Sequence, residues 1–184
     1  MPTGPKLRTA PTSPPFRVVL VEPEIPPNTG SVARTCAATR SPLHLVGKLG
    51  FRIDEHSVRR AGLDYWHLVE LHQHESLETF REAHPGGRLF LFCPSAKQSF
   101  YDADVRPGDV FVFGKESVGL PRELLDRDPT QVWGIPTRGG VRSLNLSNSV
   151  AIVLFEALRR VGGLSPTFVE NAPDVEPDRS DISQ

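Results

Sequence analysis

Between Arg17 and Gly47 the chain runs through an apolar segment, a proline-rich turn, a helical stretch and a second apolar segment, all within about thirty residues. Arg17-Val18-Val19-Leu20-Val21 is β-branched almost throughout, ends in Glu22-Pro23, and reads as a buried strand. Pro26-Pro27-Asn28-Thr29-Gly30 then delivers the chain into a helix. Asn28 or Thr29 is the expected N-cap, and Val32, Cys36 and Ala37 or Thr39 form the inner face. Leu43-His44-Leu45-Val46-Gly47 is the next strand. Two strands joined by a helical crossover must pair in parallel, so this one unit already excludes hairpin-built architectures.

The pattern recurs. Glu75 to Ala83 has helical character, with Leu77 and Phe80 inward. Arg88 to Cys93, Asp109 to Gly114 and, more weakly, Val132 to Pro136 are further apolar strands. From Ser147 the longest helix begins, with Val150, Val153, Leu154, Ala157, Leu158 and Val161 on one face, and Gly162-Gly163 ends it. Strands apolar on both faces and alternating with helices predict an α/β fold with a parallel sheet covered on both sides. Ligands of such sheets sit beyond the carboxyl ends of the strands. That rule selects residues 22–34, 93–97, 114–121 and 135–148.

The ends differ from this core. Residues 1–15 hold five of the eighteen prolines, and residues 165–184 hold five acids against one arginine. Neither shows hydrophobic periodicity, so both read as disordered tails around a single domain at 16–164. The formal net charge is −1, which excludes a uniformly basic nucleic-acid coat but not a local basic patch. Cys36 and Cys93 lie far apart without metal-ligand spacing, no apolar run is long enough to span a membrane, and no secretory leader is visible. A reduced cytoplasmic protein without membrane or metal partners is expected. His72 and His74 would share a face in a strand, but with no third ligand in view they read as surface histidines.

Two segments carry the chemistry. Gly114-Lys115-Glu116-Ser117-Val118-Gly119-Leu120-Pro121 follows a strand and precedes a helix with Pro121 expected at its first position. It lacks the Walker A pattern, and no GxGxxG follows the first strand, which removes the dinucleotide-binding fingerprint of a Rossmann enzyme. Arg138-Gly139-Gly140-Val141-Arg142-Ser143-Leu144-Asn145-Leu146-Ser147-Asn148 crowds Ser143, Asn145, Ser147 and Asn148 onto the approach to the last helix. A single N-cap needs one of these four, and the surplus suggests a ligand held by backbone N–H and amide groups. No G-x-S-x-G or other hydrolase signature occurs.

Together with Asn28-Thr29-Gly30-Ser31-Val32-Ala33-Arg34, these segments resemble the three motifs of the SpoU branch of the SPOUT superfamily, RNA ribose 2′-O-methyltransferases. Glu22 to Gly30 and Arg59-Arg60-Ala61-Gly62-Leu63-Asp64-Tyr65 narrow the resemblance to the subfamily that methylates the wobble cytidine or uridine of leucine tRNAs. Phe155 stands where that subfamily tends to carry tyrosine, and Lys115-Glu116-Ser117 varies among neighbouring families. The resemblance implies a C-terminal deep trefoil knot, S-adenosyl-L-methionine bound in it, a homodimer, and the tRNA anticodon arm as partner.

It also implies residue roles. Arg34 would be catalytic, with Asn28, Glu116, Ser143 and Asn145 positioning it, the ribose and the cofactor carboxylate. Phe92, Cys93, Gly114, Gly119, Leu120, Pro121, Ile135, Ser143, Leu144 and Asn145 would hold the cofactor. Arg59, Arg60, Arg138 and Arg142 are the candidates for RNA phosphates. A guanidinium keeps its proton, so a cationic clamp on the phosphate next to the ribose suits Arg34 better than a general base. The competing readings are methylation of ribosomal RNA or another tRNA position, and a cofactor- and RNA-binding module without turnover.

Overall fold

A computed structural model of the chain describes residues 6–51 and 65–169. The strands are β1 (Lys6–Arg8), β2 (Arg17–Val21), β3 (Leu43–Val46), β4 (Leu71–His74), β5 (Leu89–Phe92), β6 (Gln98–Ser99), β7 (Val110–Phe113), β8 (Val132–Gly134) and β9 (Thr167–Val169). The helices are α1 (Pro26–Thr39), α2 (Leu77–Ala83), α3 (Arg122–Arg127) and α4 (Leu146–Arg160). Seven strands form one sheet in the order β4-β3-β2-β7-β5-β8-β6, with every pairing parallel. The α/β class expected from the apolar runs is what is observed.

Alternation along the strands divides the core into two layers. Val18 and Leu20, Phe90 and Phe92, and Phe111 and Phe113 point to one face, where Val32, Ala33 and Cys36 of α1 and Val150, Val153, Leu154 and Ala157 of α4 cover them. Val19, Leu89, Leu91, Val110 and Val112 point to the other, under Leu77 and Phe80 of α2 and Leu120, Leu124 and Leu125 around α3. Phe111 stands in the middle of the first layer, with the rings of Phe16, Phe90, Phe92 and Phe100 around it. Burial of each such ring contributes about 1.5–3 kcal/mol.

Several local expectations shift. Helix α1 starts three or four residues early because Pro26 and Pro27 occupy its first positions, where a missing N–H costs nothing, and Ile25 is its N-cap without a side-chain bond. Asn28 therefore lies inside the first turn with its amide free for other partners. Pro121 is the N-cap of α3 rather than its first residue. Helix α2 begins at Leu77 because Ser76 and Thr79 close a capping box. Outside 16–164, β1 pairs antiparallel with β9, Lys6 opposite Val169. That pairing rests on backbone hydrogen bonding, which hydrophobic periodicity does not register. Among the described residues, no helix is long and apolar enough to cross a membrane.

Candidate active site at the strand ends

The carboxyl ends of β2, β5, β7 and β8 open into a cavity of about 900 Å³. Its wall comes from the β2–α1 connection, residues 92–95, the β7–α3 loop and the chain leading into α4. All four segments selected by the strand-end rule contribute. Every cofactor candidate lies in the wall: Phe92, Cys93, Gly114, Gly119, Leu120, Pro121, Ile135, Ser143, Leu144 and Asn145. Phe92, Trp133, Ile135 and Leu144 supply apolar surface, and Ser143 and Asn145 supply polar groups.

The β7–α3 loop is folded shut. Lys115 N–H donates to the Gly119 carbonyl at 3.2 Å, and Gly119 N–H donates back to Lys115 at 2.9 Å. A Cβ at position 114 would stand 2.1 Å from the Gly119 carbonyl carbon and 2.2 Å from the Leu120 nitrogen, so only glycine fits there. Gly119 itself turns the chain with φ at +76°. Beneath the loop, Lys115 Nζ meets Glu22 Oε2 at 2.6 Å, and that ammonium holds the Glu22 carboxyl below its ordinary range.

Glu116 ties this loop to the start of α1. Its carboxylate accepts from Glu24 N–H at 2.8 Å, Ile25 N–H at 3.3 Å and Asn28 Nδ2 at 2.9 Å. In the reverse direction Ser117 N–H donates to Glu24 Oε2 at 3.0 Å, and hydrogen bonds from Ser117 lower the Glu24 pKa. The third loop joins through Asn145, whose Nδ2 donates to Asn28 Oδ1 at 3.0 Å. Asn145 is also the N-cap of α4, its Oδ1 accepting from Ser147 N–H at 2.9 Å. Asn28 is thus the link between three connections far apart in sequence.

Arg34 lies elsewhere. Six residues of helix turn it about 120° away from Asn28, so the two do not share one opening. It is exposed on α1, its guanidinium 4.5 Å from the ring centre of Tyr65, and it does not line the cavity. Tyr65 is anchored by its hydroxyl, which donates to the Gly30 carbonyl at 2.8 Å. Of the phosphate candidates, Arg142 lines the cavity and Arg138 is exposed on the same connection, whereas Arg59 and Arg60 fall outside the described residues. Phe155 is 45% exposed on the outer side of α4 and takes no part in the cavity. Sequence reasoning missed Glu24, Lys115 and Tyr65 as supports of the site. All three stand inside quoted segments, but their partners are distant in the chain, so sequence alone assigned them no role.

The chain is similar to known proteins over most of its length. Residues 15–155 match the model of the SpoU rRNA Methylase family. A tRNA (cytidine(34)-2′-O)-methyltransferase from Burkholderia ambifaria is 49% identical over 150 residues, covering 80% of this chain and 96% of that protein. A solved structure addressing the 2-OH methylation of C/U34 on tRNA is 48% identical with a TM-score of 0.75, covering 80% of this chain and 97% of the other. An AdoMet-bound rRNA methyltransferase from Sinorhizobium meliloti is 25% identical with a TM-score of 0.68, covering 84% of this chain and 62% of the other.

Proposed function

The chain belongs to the SpoU rRNA Methylase family, and from that premise we propose that it methylates the ribose 2′-oxygen of nucleotide 34, cytidine or uridine, in tRNA. It is an enzyme, and S-adenosyl-L-methionine is its methyl donor. The substrates are leucine tRNAs, engaged through the anticodon arm by a cytoplasmic homodimer whose C-terminal part is a deep trefoil knot. The observation that carries the reading is the convergence of all three motif segments on one cavity at the strand ends.

The cavity suits the cofactor in size and in the mixture of its walls. Phe92, Ile135 and Leu144 offer flat apolar surface to an adenine, and the loop closed by Gly114 and Gly119 brings backbone groups to the rim. Ser143 and Asn145 are the polar groups for its charged end. When bound, the cofactor supplies an electrophilic methyl group on a sulfonium; the protein supplies position and field.

Glu116, Asn28 and Asn145 are positioning residues that hold the three loops in one arrangement. Arg34 acts as a cationic clamp on the phosphate beside the ribose, favouring the 2′-oxyanion. Arg138 and Arg142, with Arg59 and Arg60, meet further phosphates, so tRNA affinity falls steeply with salt.

Methyl transfer from labelled S-adenosyl-L-methionine to total tRNA of a strain lacking this protein tests the reading. Nuclease digestion and mass spectrometry should place the new 2′-O-methyl group at nucleotide 34. Methylation at another position, or of ribosomal RNA alone, would overturn the substrate. Cofactor binding without transfer to any RNA would leave a binding module.

A further inference from the structure

On the face of the sheet away from α1 and α4, four histidines gather at the β4 edge. His44 of β3 stands opposite His72 of β4, and Val46 opposite His74, so these histidines share a face. His84, the C-cap of α2, closes over them. His44 Nδ1 lies 3.0 Å from His74 Nε2. Ligand nitrogens of His44, His74 and His84 all fall within 4.8 Å of one another. The third ligand that His72 and His74 lacked in the sequence is therefore present, and His72, whose Nε2 bonds Glu70 at 3.0 Å, becomes the stacking neighbour of His44.

We infer that His44, His74 and His84 form a binding site for a divalent transition-metal ion of the zinc class, separate from the cavity at the strand ends. Two observations support it. His44 is fully buried, yet its Nε2 has no hydrogen-bond partner among the described residues. A buried imidazole nitrogen without a partner, beside two further imidazoles, is the chemistry that a borderline cation recognises. The spacing is close to what an ion needs: nitrogens at about 2.0–2.1 Å from a tetrahedral ion stand about 3.3 Å apart, those of His44 and His74 stand 3.0 Å apart, and that of His84 falls within 4.8 Å of both.

Phe80 packs against all three rings and fixes their orientation. The Arg17 cation opposes a bound ion and Glu70 favours one, so the affinity rests on the imidazoles. An ion here would clamp the edge strand β4 and helix α2 to β3, which makes its role structural.

The test uses the full tag-free chain stripped with a chelator. Zn²⁺ binding is measured by competition with a chromophoric chelator, and Co²⁺ by visible absorption. One saturable site with tetrahedral Co²⁺ absorption is expected, weakened by about tenfold or more in His84→Asn and in His74→Asn. His67→Asn, at an exposed position outside the cluster, should bind as the parent does. Zn²⁺ should also raise the melting temperature of the parent and not of His84→Asn. No saturable site, or equal affinity in His84→Asn, overturns the inference. Since α2 keeps its capping box in that variant, it decides the matter even if His74→Asn fails to fold.

Discussion

Asn28 donates its side-chain amide to Glu116 Oε1 across 2.9 Å, although 88 residues separate the two. The same carboxylate holds the N–H groups of Glu24 and Ile25, so it serves as an external cap for a helix start that has no side-chain cap of its own. Glu116→Gln keeps the size but puts an NH₂ where an acceptor is needed. Hydrogen bonds to a charged group are worth about 1.5–3 kcal/mol, so cofactor affinity should fall by roughly tenfold. Titration calorimetry with S-adenosyl-L-methionine checks this, and unchanged affinity would remove Glu116 from the positioning network.

Gly114→Ala should do more harm than its single methyl suggests. The added carbon meets backbone 2.1 Å away, and backbone cannot rotate aside as a side chain can. The loop must open, at about 1–3 kcal/mol of stability, and cofactor binding should be lost while the circular dichroism of the sheet and helices persists. A variant that binds normally would mean that the closed loop is not required.

For Arg34→Lys the expectation is a split between binding and turnover. The residue lies outside the cavity wall, so cofactor affinity should stay as it is. Loss of the planar fork should lower kcat about 100-fold. Tyr65→Phe retains the ring under the guanidinium and should keep most of the activity, whereas Tyr65→Ala removes that platform. Full turnover by Arg34→Lys would exclude a specific role for the guanidinium.

Acid stability should depend on Glu156. Hydrogen bonds from Arg159 and Arg160 hold its carboxyl down to about 2 from an ordinary 4.5. A depressed carboxyl stabilises the fold fully above the unfolded value and loses that contribution as pH falls toward the folded one. Arg160 in turn donates to the carbonyls of Tyr101 and Ala103, anchoring α4 to the segment after β6. With screening at the exposed Arg159 the contribution is about 1 kcal/mol. Glu156→Gln should therefore be less stable than the parent at pH 7 by that amount, and the gap should close between pH 4.5 and about 2. Urea midpoints across that range measure it; a gap independent of pH would show that the charge is not the cause.

How much of this was legible beforehand depends on burial. Strands β2, β5 and β7 are apolar on both faces and declare themselves, whereas β4, with His72 and Gln73 exposed, has no such signal. His44 was hidden because a single polar letter in an apolar strand says nothing about what lies beside it. The cavity residues were readable as motifs, since glycine, asparagine and serine at the strand ends are unusual in combination. Their division of labour was not. That Asn28 bridges instead of capping follows from two prolines displacing the helix start, and that Arg34 turns away follows from helical pitch and the ring of Tyr65.

The strand order has a consequence in time. Strand β2 lies between β3 and β7, with Arg17 opposite Val110. During synthesis β3 arrives soon after β2, but the 63 residues from 47 to 109 must still leave the ribosome before β7 can occupy the other side, several seconds at about 5–20 residues per second. Through that interval the most apolar strand at the N-terminal end has one open edge. Translation speed across residues 47–109 therefore sets how long the nascent chain is exposed to pairing with the wrong partner.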